Sequence, residues 1–473
     1  MLEAQDLSKA QHWTSPDDEF SNRASSLTPS SVDFLQGIGA WKYVDQSRVQ
    51  PYDEMQVWDG ANESRMQFDW AAEAERYNAP RRSLATMTEN ANLTRGLLAR
   101  ISELSGDGEG SLFSRTTVAA IENGEDDQDG LNLSSWPVLS LSSADTTKSV
   151  PSRIAARLLI GADGINSPVR NFAGIASKGW DYNRHGVVAT LKLEPKEDQS
   201  FDSFSDSSPE ESASATAYQR FLPRLGGPIA LLPLPNNHAS LVWSTTSNNA
   251  AYLKSLSQTD PESVIALINA AFRLSQTDLE YMFTLPSTPS STFSSSLSSS
   301  SAPQHPNSYT HAAELAWRLP HTPQTPHAPP SITGLQPGTL ASFPLRFRQS
   351  SSYISPRVAL LGDAAHTIHP LAGQGLNLGL ADAKALVETI AYGVAHGMDL
   401  GDVMMLERYN AARWAEGVKV GGVVDLLNKV YGMDGTVAGW VRGLGMRVLG
   451  MDEGVGGYLG RGVRGWVMRQ AEG

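Results

Sequence analysis

The 473-residue chain contains no cysteine. That excludes disulfides, thiolate metal sites and a cysteine nucleophile, and it is compatible with a reducing compartment. Basic residues are in deficit: 37 Lys and Arg stand against 50 Asp and Glu, a formal net charge of -13. Nucleic acid is therefore a poor partner, because a phosphate backbone is held by clustered cations. No apolar run is long enough to span a bilayer. The first residues, MLEAQDLSKA, have neither the apolar core of a signal peptide nor the Arg-rich pattern of a transit peptide. No internal repeat is visible. What is present is enough chain to bury a large core and to fold as two interleaved domains.

Over residues 1–100 helix-like and strand-like patterns alternate. LTPSSVDFLQGIGAW predicts a helix capped at Thr28 or Ser30, with Val32, Leu35 and Ile38 on one face. MQVWDG (55–60) reads as a strand entering a turn, and LTRGLLARISEL (93–104) as an amphipathic helix. Polar, acidic stretches at 105–111 and 121–131 read as loops, and RIAARLLIGADG (153–164) as one buried strand ending in a tight turn. From 186 to 346 the texture is β-rich, with HGVVATLKL, GPIALLPLP and ASLVWSTT. Ser- and Pro-rich inserts at 201–215, 287–306 and 320–331 have too little apolar content to pack, and read as disordered surface insertions. The α/β pattern returns at 347–400, and 401–473 is helical. Arg442, Arg447, Arg461, Arg464 and Arg469 stand between the apolar positions of that tail.

Two glycine-rich stretches carry the chemistry. In RVALLGDAAHTIHPLAGQGLNLGL (357–380) an apolar run stops at Gly362-Asp363, and Gly373 and Gly375 then open an apolar-periodic helix. That layout cradles a phosphate or another anion at a helix N-terminus. An ionised Asp363 only accepts hydrogen bonds, so it suits a sugar hydroxyl and repels a bare pyrophosphate. The glycines permit a backbone approach that a side chain would block. In LLIGADGINSPVR (158–170) Asp163-Gly164 ends a strand, where an acid can accept from ligand hydroxyls. Arg170 offers a donor fork to phosphate or carboxylate. A tight turn with a surface salt bridge accounts for this second stretch equally well when it is taken alone.

His366 and His369 read as structural hydrogen-bonders, not general bases, and no carboxylate stands at ligand spacing to complete a metal site with them. HAAEL (311–315) lacks the second histidine of a zinc helix, so no metal is expected. Gly37-Ile38-Gly39 ends a helix and is a false nucleotide fingerprint.

Together, GADGINSPVR and ALLGDAAHTIHPLAGQGLNLGL, flanking a β-rich stretch, resemble the flavoprotein aromatic hydroxylases, the single-component FAD monooxygenases. FSNRASSLTPSSVDFLQGIGAWKYVDQSRVQPYDEMQVWDG (20–60), the 216–246 stretch and SPRVALLGDAAHTIHPLAGQGLNLGL (355–380) are similar to the branch working in mitochondrial ubiquinone biosynthesis. The resemblance implies an α/β fold in which a Rossmann-type FAD-binding domain (1–185 and 347–400) interleaves with a β-sheet substrate domain (186–346), followed by a helical segment (401–473). It implies FAD, molecular oxygen and an electron donor, either a ferredoxin system or NAD(P)H. It implies hydroxylation of the aromatic ring of a polyprenylated phenol through a flavin C4a-hydroperoxide, with GPIALLPLP and SLVWSTT as an apolar sheet over the ring. Carried over by motif, Glu3 takes the ribose position, Arg23 lines the cofactor and Asn90 is the ring-proximal amide. Asp163, Gly164, Gly362, Asp363, Gly373, Gly375, Leu376 and Asn377 complete the cofactor set. Pro370 and Gly373 lie along the flavin face, and no side chain is assigned as acid or base. A helix N-terminus at the flavin's pyrimidine edge would stabilise the reduced, negatively charged ring by about 0.3–2 kcal/mol.

The same resemblance implies the matrix side of the mitochondrial inner membrane and other ubiquinone-biosynthesis proteins as partners. The arginine-bearing tail fits a peripheral membrane contact or ordinary helical packing equally well. Two other readings stay open: a different flavin hydroxylase, epoxidase or prenyl reductase, and a cofactor-free scaffold subunit. One expectation concerns the start of the chain. In a Rossmann site the ribose-binding acid follows the glycine turn by about 20 residues. With Glu3 in that role the fingerprint falls before Met1, so the sequence reads as N-terminally truncated, lacking the first strand and glycine turn.

Overall fold

A computed structural model describes residues 1–70, 83–106, 111–126, 132–144, 150–195, 215–286, 310–323, 328–368 and 373–432. The 201–215 insert except Ala215, the 287–306 insert, His369, Pro370 and the five tail arginines lie outside the described residues.

Among the described residues the largest sheet has nine strands. Its order runs His366–Thr367, Ala341–Ser350, Ser177–Leu193, His238–Thr245, Gly227–Leu234, Thr216–Leu222, Glu54–Asp59 and Arg65–Asp69, with Ile332–Leu335 paired on Ser177–Leu193. Neighbours are antiparallel except Thr216–Leu222, which runs parallel to Glu54–Asp59. The sheet thus takes strands from well outside 186–346.

Period-two alternation gives this sheet two different faces. One carries Val187, Ala189, Leu191, Ile229, Leu231, Leu241 and Trp243, all buried under the helices Ser247–Thr259 and Pro261–Arg273. Asp260 caps the second helix by accepting from the Ser263 N–H, and Pro261 opens it, where a missing N–H costs nothing. These helices and His311–Arg318 lie within the stretch that reads from sequence as strands. The opposite face has a transverse row set by register: Ala341, Val188, Val242, Ala230, Gln219, Val57 and Met66. Val188, Val242 and Ala230 at its centre are only half-buried.

A three-stranded sheet of Ala24–Leu27, Ala85–Glu89 and Val49–Tyr52 packs on that second face through Phe20, Tyr52, Met87, Ala217 and Leu234. The other nucleus is a short sheet in which Leu159–Gly161 runs parallel to Val358–Leu360. Around it Tyr353, Leu386, Leu406 and Tyr409 are buried between the helices Gln374–Ala395 and Val403–Gly432.

Three expectations are corrected. The stretch 153–164 is two strands, not one: Arg153–Ala155 pairs with Pro137–Ser143, while Leu159–Gly161 joins the parallel sheet. The chain changes sheets at Ala156-Arg157, where Arg157 reaches Asp399 in the open. The expected loop at 121–131 begins as strand, because Thr116–Asn123 pairs with Pro137–Ser143. Ile38 does not share the buried face of the helix Pro29–Gly37: it is exposed, and the helix buries Ser31 and Leu35.

Candidate functional site

The strand Val358–Leu360 is apolar and fully buried, and it delivers the chain to Gly362. There the Leu361 N–H donates to the Gly161 carbonyl at 2.9 Å, joining the two glycine-rich stretches. Gly362 has φ +53°, a conformation glycine adopts without strain. The turn Gly362–Ala364 also passes close to the helix Gln374–Ala395: a Cβ on Gly362 would lie 3.8 Å from the Gly379 Cα.

Nearly every residue of this turn is tied down from behind. The Gly362 N–H donates to Asp382 Oδ2 at 3.2 Å, and His366 Nε2 meets the same oxygen at 2.7 Å. Arg413 Nε donates to Asp382 Oδ1 at 2.8 Å. Arg170 Nη1 donates to the Ala364 carbonyl at 2.9 Å, and the Ser350 N–H to the Ala365 carbonyl at 2.9 Å. Asp363 alone projects outward, with its side chain exposed. The protein around it still displaces enough water to push its pKa above the ordinary aspartate value, with His366 pulling the other way.

After 369–372, which lie outside the described residues, the helix Gln374–Ala395 opens from Gly373 with φ +61°. Free N–H groups of its first turn make an anion-accepting end. Leu376 is exposed, and among the described residues a Cβ on Gly375 would meet nothing within 4 Å. Asn377 turns inward. Its Oδ1 accepts from the Thr28 N–H at 3.0 Å and the Ser31 hydroxyl at 2.8 Å, and its Nδ2 donates to the Ser26 carbonyl at 2.8 Å. That side chain holds the helix to the small sheet.

The small sheet brings Arg23 and Asn90 together. The Asn90 N–H donates to the Arg23 carbonyl at 2.9 Å, and the Ser25 hydroxyl to Asn90 Oδ1 at 2.6 Å. Behind them the buried pair Arg48–Glu89 closes at 2.7 Å. Arg48 also donates to the carbonyls of Pro16 and Glu19, and Glu89 accepts from the Ser21 N–H. Sequence reasoning missed this pair, which ties the loop before Arg23 to the strand before Asn90.

Other expected positions are placed as follows. Asp163 is exposed, and its Oδ2 accepts from the Val169 N–H at 3.1 Å beside Gly164, which has φ +82°. Glu3 lies against Phe113 and Thr116, through its own N–H and carbonyl. Arg170 is not an anion fork: it is buried, and its guanidinium is engaged by the carbonyls of Ala364 and Ile165. His366 is a hydrogen-bonder, as expected, but its carboxylate partner lies 16 residues on, at Asp382. The missed signal is an acid on a buried helical face: Leu378, Asp382, Leu386 and Thr389 recur at helical spacing. Among the described residues no cluster of His, Asp or Glu suits a metal ion.

Known proteins resemble this chain over most of its length. Residues 311–420 match the model of the FAD binding domain family. The chain is 34% identical to the mitochondrial ubiquinone biosynthesis monooxygenase COQ6 of Schizosaccharomyces pombe over 451 residues, covering 94% of this chain and 81% of that one. It is 35% identical to COQ6 of Saccharomyces cerevisiae, covering 89% and 77%. Among solved structures, p-nitrophenol 4-monooxygenase PnpA of Pseudomonas putida superposes with a TM-score of 0.60 at 15% identity, over 100% of this chain and 91% of that one. PqsL of Pseudomonas aeruginosa, titled a probable FAD-dependent monooxygenase, superposes with 0.56 at 17%, over 91% and 89%. The two structural likenesses establish the fold.

Proposed function

We propose, from the premise that this chain belongs to the COQ6 family of ubiquinone-biosynthesis monooxygenases, that it hydroxylates the aromatic ring of a polyprenylated phenol on the half-buried face of the large sheet. As a flavoprotein monooxygenase it takes FAD, and the residues present fit that group. Asp363 offers a bare acceptor for a ribityl hydroxyl. Beside it the helix Gln374–Ala395 aims its N-terminus outward from a glycine pair.

Gly375 carries the assignment. Gly375 is exposed at the second position of the helix, and among the described residues a Cβ there would meet nothing within 4 Å. That leaves the backbone of the helix end open to a flat ligand lying against it.

When bound, the flavin supplies the oxygen activation. The chain's own residues bind, orient and exclude water. Asp363, Asn90 and the Arg23 segment hold the cofactor's polar edges. Val188, Val242 and Ala230 offer an apolar floor for a ring and the start of a prenyl chain. The relatives' names carry the word mitochondrial, and the proposed location is the matrix side of the inner membrane. No described helix is long and apolar enough to cross a membrane.

The test is to supply the FAD-loaded full chain with a reductant, oxygen-18 gas and a polyprenylated phenol in detergent, and to weigh the product. One labelled oxygen on the ring is expected. Bound FAD without ring oxygenation would return the chain to the wider flavoenzymes, and absence of FAD binding would favour the scaffold reading.

A further inference from the structure

A buried carboxylate lies behind the Gly362-Asp363 turn. Asp382 is 1% exposed and receives three donors from three places: the Gly362 N–H at 3.2 Å, His366 Nε2 at 2.7 Å and Arg413 Nε at 2.8 Å. An ionised carboxylate accepts only, so His366 carries its proton on Nε2. Its Nδ1 is buried without a partner among the described residues. Gly362 and His366 bracket Asp363, and one oxygen of Asp382 holds both ends of that bracket. The second oxygen is anchored by Arg413 on the helix Val403–Gly432, 31 residues further along the chain.

We propose that Asp382 is a positioning residue for the cofactor: it fixes the 362–366 turn so that Asp363 is the one side chain presented outward, and Arg413 and His366 act through it. The inference rests on Asp363 facing FAD. Burial alone would raise the Asp382 pKa, and the His366 and Arg413 contacts outweigh it and hold the carboxylate below the ordinary range. The anion is therefore maintained without reaching solvent or ligand. A carboxylate in this place sets geometry in the way that outer partners orient the groups that do touch a ligand.

A double-mutant cycle on the full chain separates positioning from mere stability. FAD affinity is titrated by flavin fluorescence at 10 °C, with folding checked by circular dichroism, for Asp363→Ala, Asp382→Asn and the pair together. Each single change is expected to weaken FAD about tenfold. The double variant should lose about the same tenfold, not the product of the two, since both act on one contact. Arg413→Met, which leaves the turn's sequence untouched, should weaken FAD in the same direction. Arg220→Met, which breaks buried bonds to the Ala271 and Leu274 carbonyls in the large sheet's core, should lower the melting temperature and leave FAD affinity unchanged.

Unaltered FAD affinity in folded Asp382→Asn, with Asp363→Ala weakened, would overturn the positioning role. Multiplying losses in the double variant would do the same. Unaltered affinity in Asp363→Ala would instead remove the premise that Asp363 faces the cofactor. If Asp382→Asn does not fold, the cycle runs with Arg413→Met in its place, and the same outcomes decide it.

Discussion

At Gly375 a single added methyl separates the needs of the fold from those of the proposed cofactor site. Gly375→Ala should raise the melting temperature of the FAD-free chain, since helix propensity favours alanine by up to about 1 kcal/mol and no described residue lies within 4 Å of the added methyl. The same methyl should weaken FAD binding, read by flavin fluorescence. Loss of both stability and affinity would mean that the glycine serves the fold alone. Asp382 makes the complementary prediction in pH. Its folded pKa lies below the ordinary 3.8, so its contribution to stability is fully present above the unfolded value. It is lost as pH falls through the folded one, a decline that begins near about pH 5. Urea melts from pH 7 downward should therefore show Asp382→Asn less stable at neutrality and with a shallower acid slope than the parent. Parallel slopes for the two proteins would exclude Asp382 as a contributor to acid unfolding.

Among the elements, the helix Val403–Gly432 shows why helix propensity is only a weak guide. Gly417 and Gly422 both stand in its interior, where alanine would normally be preferred. Among the described residues a Cβ on Gly422 meets nothing within 4 Å, while one on Gly417 runs into the Tyr353 hydroxyl. Tyr353 is fully buried, and Gln349 Nε2 donates to its hydroxyl at 3.0 Å, so it cannot swing aside. Gly422→Ala should stabilise by up to about 1 kcal/mol, and Gly417→Ala should destabilise by about 1–3 kcal/mol through overpacking. Differential scanning calorimetry of the two variants measures both signs, and equal shifts would show that Tyr353 yields.

The same contrast explains which elements the sequence discloses. Glu54–Asp59 and Asn90–Gly106 follow their hydrophobic period, and local pattern suffices for them. The break at Ala156-Arg157 has no local marker, since two sheets competing for adjacent residues is a tertiary fact. Within the proposed site, Asp363, Gly373 and Gly375 stand out because an apolar strand stopping at a glycine-acid turn before a glycine-opened helix is a local pattern. Arg170, Asp382 and Arg413 are hard to assign because each has a partner 16 to 194 positions away in sequence.

Over the whole molecule, both the large sheet and the short parallel sheet form only by joining distant pieces. Glu54–Asp59 pairs with Thr216–Leu222, Ser177–Leu193 with Ala341–Ser350, and Leu159–Gly161 with Val358–Leu360. The timing of synthesis follows from that. At about 5–20 residues per second, the early strands of a growing chain must wait roughly 10–40 s for partners made some 200 residues later. During that interval Leu159–Gly161 has an open strand edge, and unpaired edges invite association with other chains. Ribosome-arrested chains that have exposed only the first 340 residues should be cleaved by added protease at 156–161, whose parallel partner Val358–Leu360 is not yet available. Chains arrested after 432 is exposed should resist in the same region. Early protection at 340 would mean that the first strands find temporary partners. Any helper that shelters this chain must therefore hold it until the Gly362 turn has emerged.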